Sequence, residues 1–238
     1  MKTTLTTMMA GAATVAVMAA GTALTAAPAD AAFPFNVSAE VSNPNGFLPG
    51  STVINFDDPF PTGVNLTGGA TVNSPTSGVT AEPNPTAGGS WLTVGPSGPT
   101  AGPATLTFGN LLNYYGLYWG SVDTSDETWN VIEFLRDDVV IGSFNGSQLT
   151  PPILNSGSQI EGGSAFVNFT AIGPEGYFNA VRLTASQFAF ESDNHAFRVV
   201  PTPAAVLPGL IGMGTAVFRK KKQDDGADVA VEPAEANA

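Results

Sequence analysis

The chain has no cysteine, a single histidine, and no lysine between Lys2 and Lys220. The first absence excludes disulfides, thiol nucleophiles, iron–sulfur clusters and cysteine zinc sites. A lone His195 cannot supply the two or more His or Cys ligands that a zinc site recruits. It also ties any Ser-His-acid set to one position, and no G-x-S-x-G stands in the chain, so a nucleophile elbow is missing. The context Asp-Asn-His suits loop geometry with positive φ, which places His195 in a turn. Without lysine, residues 32–200 hold fourteen Asp or Glu against Arg136, Arg182 and Arg198. Such a surface repels phosphate backbones and argues against nucleic acid as a partner. It attracts divalent cations, which can bridge it to anionic polysaccharide.

Long apolar runs are scarce too, and the two present lie near the ends. Lys2, the apolar residues 8–20 and the small-x-small site Ala29-Asp30-Ala31 read as a signal peptide, residues 1–31, removed by signal peptidase after Ala31. Near the C-terminus, residues 204–218 form a 15-residue apolar segment ended by Arg219, Lys220, Lys221 and Lys222. As a single transmembrane helix it reaches about 22 Å at 1.5 Å per residue. A bilayer core of about 30 Å usually takes about 20 residues. The four cations snorkel to the headgroups and keep that end cytoplasmic. Residues 223–238 read as an acidic, disordered extension.

Between these ends no stretch has helical periodicity. Residues 83–103 contain ten Gly or Pro, which no helix of ordinary length survives. Residues 32–50 read as an irregular lead-in, and the domain proper as residues 51–200. A short β-branched run at 52–56 stops at Asp57-Asp58-Pro59. Residues 90–94 have room for a brief strand. Alternation marks strands at 104–108, 114–120 and 129–135, the last with Ile132 and Phe134 on one face and Val131 and Glu133 on the other. Arg136-Asp137-Asp138 turns into 139–144, a hairpin, and Asn145-Gly146 is the next turn signal. Further strands fall at 165–171, 178–185, 187–191 and 196–199. The expectation is an all-β, antiparallel β-sandwich, jelly-roll-like, with an open barrel as the alternative.

Two stretches resemble known families. Pro201-Thr202-Pro203-Ala204, the following L-P-G-L-I-G-M-G and the basic cluster at 219–222 resemble the PEP-CTERM sorting tails handled by exosortases, in the variant seen mostly in cyanobacteria. That resemblance implies an exosortase-like membrane processing enzyme as a partner, acting on residues 201–222. The stretch Y-Y-G-L-Y-W-G-S-V-D-T at 114–124 is similar to the aromatic segment of an exosortase-dependent surface-protein family of filamentous cyanobacteria. Residues 188–196 resemble its closing element. The resemblance covers residues 110–198 and departs from the pattern at 125–128 and Ser192. It implies an exported surface protein with no catalytic residues to carry over.

Three constellations remain as candidate sites. Asp57 and Asp58 end an early strand while Asp193 and Asn194 lie near the last, and termini that pair would bring them together around a structural calcium ion. The other reading is that Asp and Asn occupy turns for conformational reasons. Among the aromatics, Tyr115, Leu117 and Trp119 share one strand face, which leaves Tyr114 and Tyr118 to face outward as a glycan platform or to pack in a core. Asp123, Asp126, Glu127 and Glu133 are carboxylates from which a glycan hydrolase could draw a pair. The leading expectation is a non-enzymatic protein of the cell envelope or extracellular matrix, anchored transiently or permanently in the inner membrane, with exopolysaccharide as a further partner. A lectin-like module is the alternative and a carboxylate glycan hydrolase the third reading.

Overall fold

The computed structural model describes residues 33–85, 88–149 and 155–201. Ala29 and Ala31 of the expected signal peptide, Thr202, Pro203 and Ala204 of the expected sorting tail, the segment 204–218 and the cations Arg219, Lys220, Lys221 and Lys222 lie outside the described residues. The described residues form no α-helix. They build eleven strands: β1 Phe35–Val41, β2 Thr52–Ile54, β3 Val64–Thr67, β4 Ala70–Val72, β5 Trp91–Val94, β6 Ala104–Gly120, β7 Asn130–Arg136, β8 Val139–Asn145, β9 Ala165–Ala171, β10 Phe178–Ala185 and β11 Phe190–Val199. All strand-to-strand ladders are antiparallel, so the class expected from composition and alternation is the class observed.

The 17-residue strand β6 organises the rest. Its first half pairs with β3 on one side and β10 on the other. Its second half pairs instead with β9 and β11. Between the halves the register with β10 jumps from Leu112 opposite Phe178 to Thr107 opposite Ala180. The surplus β6 residues bulge out, and a bulge bends and twists its strand. One strand thereby serves two groups. The first runs β1-β9-β6-β11, with β2 and the pair β5-β4 on the far side of β11. The second runs β3-β6-β10-β7-β8.

Side chains of the two groups meet face to face. Phe134 of β7 lies 4.3 Å from the Phe35 ring of β1 and 4.9 Å from the Phe169 ring of β9, centroid to centroid, although β7 is hydrogen-bonded to neither strand. Phe144 of β8 reaches Phe169 as well, at 5.1 Å. Such aromatic pairs add about 0.5–1.5 kcal/mol each beyond their buried area.

Two expectations need correction. Residues 32–50 are not an irregular lead-in throughout, because β1 lies within them and pairs along its whole length with β9. Its period-two pattern, Phe35, Val37 and Ala39 against Asn36, Ser38 and Glu40, is flanked by Pro34 and Pro44, whose turn signals obscure it. Second, 187–191 and 196–199 are not separate strands. Residues 187–189 lie before the strand, and Phe190 and Glu191 run on with 196–199 in the continuous β11, in which Asp193 opposite Tyr118 is followed by Ala196 opposite Gly116, so Asn194 at φ 47° is the extra residue of a bulge.

Candidate functional site

β11 carries F-E-S-D-N-H-A-F, and its alternation assigns each polar residue to a face. Phe190 and Ser192 point into the main core, and Glu191 and Asp193 point away from it. The bulge at Asn194 resets the pattern, returning His195 and Phe197 to the core side and Ala196 to the other. His195 is therefore a core residue, not the turn residue its context suggested. It is fully buried between Phe56 and Tyr115, with centroids 4.9 and 5.7 Å away. Its Nδ1 lies 2.8 Å from the Tyr115 hydroxyl and its Nε2 2.9 Å from Ser192 Oγ. Burial pushes the imidazole down to about 3, so it is neutral, with one ring nitrogen donating and the other accepting. Serine and histidine thus meet, but the second partner of the ring is a phenol rather than a carboxylate, and both residues are sealed from solvent. A nucleophile needs substrate access, and this buried pair has none.

The opposite face of β11 differs. Glu191 accepts a hydrogen bond at Oε1 from the Ala81 N–H at 3.0 Å. Burial, and to a smaller extent the nearby Asp123 carboxylate, push its carboxyl up to about 8. Asp123 sits just past the end of β6, after Ser121 at φ 50°. Its Oδ2 accepts from Asn130 Nδ2 at 3.1 Å, and burial raises its pKa too. Gly157 packs so close that a Cβ there would stand 2.6 Å from Asp123 Oδ1, and its φ of +65° also favours glycine. Asp193 accepts from the Asn194 N–H at 2.6 Å and is pushed up to about 7, chiefly by burial and further by the charges of Asp57 and Glu82.

Asp123 and Glu191 both line an open groove of about 760 Å³. One wall is the turn closed by the Thr76–Thr80 bridge. Another is the turn from Gly95 to Ala101, where the Gly95 N–H donates to Thr100 O at 2.7 Å. Phe188 stands on the groove half-exposed, edge-on to Trp129 at 5.0 Å. No Lys, Arg or His is among the described residues that line it.

The other carboxylates singled out in the sequence are engaged elsewhere. Asp126 accepts from both the N–H and the hydroxyl of Thr128 at 2.8 Å, and these bonds hold its pKa below the ordinary value. Glu133 pairs with Arg182 at 2.6 Å across β7 and β10. Glu127 is exposed. The sequence therefore marked one member of the groove pair and missed Glu191. Only its place between Phe190 and Ser192 in an alternating strand signalled that it would face away from the core.

β2 does pair with β11, Ile54 opposite His195, so Asp57 comes within electrostatic reach of Asp193. The groups themselves serve the turns. Asp57 Oδ1 accepts from the Ser90 N–H at 2.8 Å, Asp58 Oδ2 accepts from Asn55 Nδ2 at 2.9 Å, and Asn194 Nδ2 donates to Pro44 O at 2.9 Å. Among the described residues no three His, Cys, Asp or Glu are grouped to hold a metal ion.

Tyr114 and Tyr118 lie on the face opposite Tyr115, Leu117 and Trp119, as alternation requires, but neither is presented to solvent. Residues 43–51 cross over them. The Leu48 N–H donates to the Tyr114 hydroxyl at 3.1 Å, that hydroxyl donates to Asn168 Oδ1 at 2.6 Å, and Asn168 Nδ2 donates to Gly46 O at 3.1 Å. Gly116 makes room for the arrangement, since a Cβ there would stand 2.6 Å from the Phe166 ring and 2.7 Å from the Tyr114 hydroxyl. Arg198 lies over the Tyr114 ring at 5.3 Å and donates to Ser51 Oγ at 3.3 Å and to Pro49 O. An exposed platform built from these two tyrosines is replaced by a second small core under a strap. No protein family, curated protein or solved structure matches this chain.

Proposed function

We propose that the chain is an exported protein of the cell surface or extracellular matrix, with a non-catalytic antiparallel β-sandwich of jelly-roll-like arrangement. A signal peptide over residues 1–31 exports it, and an exosortase-like enzyme processes it through the tail at 201–222. The observation that carries this reading is where the last described strand ends. β11 stops at Val199, and the Val200 N–H donates to Leu111 O at 2.9 Å, the last such tie among the described residues. The tripeptide Pro201-Thr202-Pro203 begins at the next residue. Cleavage there would leave all eleven described strands intact, as a sorting signal placed behind a folded domain requires. The tilted aromatic contacts between the two strand groups support the sandwich.

The intact mass of the protein recovered from cells tests this. A product starting at Ala32 and ending near residue 203 is expected, and a product that retains Lys222 overturns processing. A glycan-binding module is the second reading, favoured by the groove beside Asp123 and Glu191 rather than by Tyr114 and Tyr118. Release of reducing ends from a neutral polysaccharide, abolished by Glu191→Gln, would overturn the non-catalytic part.

A further inference from the structure

The groove between the turn at 76–80 and the turn at 95–101 has a definite chemistry. About 760 Å³ falls within the range of roughly 300–1,000 Å³ typical of small-molecule sites. With no cation among its described lining residues, it offers an anionic ligand nothing to offset its charge. A bare divalent cation prefers several ionised oxygens that are free to turn inward. Here Glu191 and Asp123 are 4% and 7% exposed, each already accepts an N–H bond, and burial raises both pKa values, that of Glu191 to about 8. The Glu191 carboxyl, when protonated, is both a donor and an acceptor, as are the side-chain amides of Gln159 and Gln187 and the hydroxyl of Ser97, which share the lining, while Asp123 adds acceptor oxygens. Paired donor and acceptor capacity is what a sugar hydroxyl matches. Phe188 adds an apolar surface, 51% exposed, held edge-on by Trp129 and suited to the C–H face of a pyranose ring. The walls are closed by their own backbone hydrogen bonds, so the groove exists before a ligand arrives.

We propose that this groove binds a neutral oligosaccharide, with Asp123 and Glu191 hydrogen-bonding its hydroxyls and Phe188 stacking on a ring face. The inference deepens the second reading above and does not depend on how the tail is processed. A matrix protein that holds neutral glycan through this groove links its delivery to a material at its destination.

Isothermal titration of the full purified chain with maltotetraose, cellotetraose and mannotetraose tests the proposal, with tetragalacturonate and calcium chloride as separate probes. At least one neutral tetrasaccharide is expected to bind with a Kd between about 10 μM and about 1 mM. Ser97→Trp, which places a bulky ring at an exposed position of the groove, and Phe188→Ala are each expected to weaken that binding by about tenfold or more. Tyr114→Phe, buried under the strap at 43–51, leaves it unchanged. Circular dichroism of each variant separates loss of binding from loss of fold, and Ser97 and Phe188 are exposed enough to change without unfolding the domain. The proposal is overturned if no neutral tetrasaccharide binds at about 10 mM, if binding survives Ser97→Trp, or if tetragalacturonate or calcium alone occupies the groove in preference. An exported, processed chain that binds no neutral sugar defeats this inference and leaves the surface-protein reading standing. A binding chain that retains Lys222 does the reverse.

Discussion

The two faces of β11 bury titratable groups to nearly the same depth and to opposite effect. On one face His195 sits among Phe56, Tyr115 and Ser192, and its pKa is pushed down to about 3. On the other, Glu191 is pushed up to about 8 and Asp193 to about 7. The cause is the same in all three, since desolvation disfavours whichever form is charged. The faces differ in access. The histidine is closed in by aromatic rings, whereas Glu191 lines a groove open to solvent. Burial alone therefore does not distinguish the two faces. Access to an opening does.

The comparison predicts stability slopes of opposite sign. Glu191 and Asp193 have ordinary values of 4.5 and 3.8, so between those values and their raised ones the folded state holds more protons than the unfolded state. Stability contributed by that face falls as pH rises from about 4 to about 8. His195, ordinarily near 6.5, is held neutral, so the unfolded state binds the extra proton and stability falls as pH drops from 6.5 towards about 3. Each slope amounts to roughly 2–5 kcal/mol across its window. Melting curves from about pH 3 to about pH 9 should therefore decline on both sides of a maximum. The double variant Glu191→Gln, Asp193→Asn should flatten the alkaline decline and leave the acid one. A wild-type melting temperature that stays level from about pH 5 upward would sink the idea that these carboxyls are held protonated.

A smaller effect sharpens the contrast within β6. Tyr115→Phe strips His195 Nδ1 of its hydrogen-bond partner in a sealed site and should cost about 1–3 kcal/mol in urea unfolding. The same change at Tyr114 removes a hydroxyl that also serves Leu48 and Asn168 near the strap, where solvent is closer, and should cost about 1 kcal/mol. Equal losses would mean that the strap seals its side as completely as the aromatic core seals the other. Smallest of all, Glu133→Gln breaks a partly exposed pair with Arg182, and about 0.2–1 kcal/mol is expected. A loss of several kcal/mol there would make that pair part of the structural core.

Much of the fold could be read locally because its causes are local. The β7–β8 hairpin turns at Asp137 and Asp138, with φ of 49° and 66°, as the Asp-Asp step between two alternating runs indicated. Ile132 and Phe134 share the buried face, as their spacing required. Asn145-Gly146 makes a different structure from a simple turn. Asn145 caps a short 3-10 helix, Gly146–Gln148, in which its side chain accepts from the Ser147 N–H and the Gln148 side chain returns to the Asn145 backbone. The short strand β2 lies within the β-branched run at 52–56, whereas β3 and β4, of four and three residues, are too short to carry a periodic signal and are fixed by their pairing with β6 and β5.

By itself, the sequence determined the all-β class, the strand faces around Tyr114–Trp119 and the absence of any thiol chemistry, because composition and alternation act over a few residues. It also located the sorting-tail resemblance, which lies in contiguous residues. Only the tertiary structure decided which acids matter. A one-residue bulge at Asn194 moves His195 from a turn into the core, and a strap from far upstream covers two tyrosines that strand geometry alone would have exposed. Long-range packing also brings Asp123, just beyond β6, and Glu191 of β11 to the same groove. Contacts between segments so distant along the chain leave no mark in the local pattern of either one.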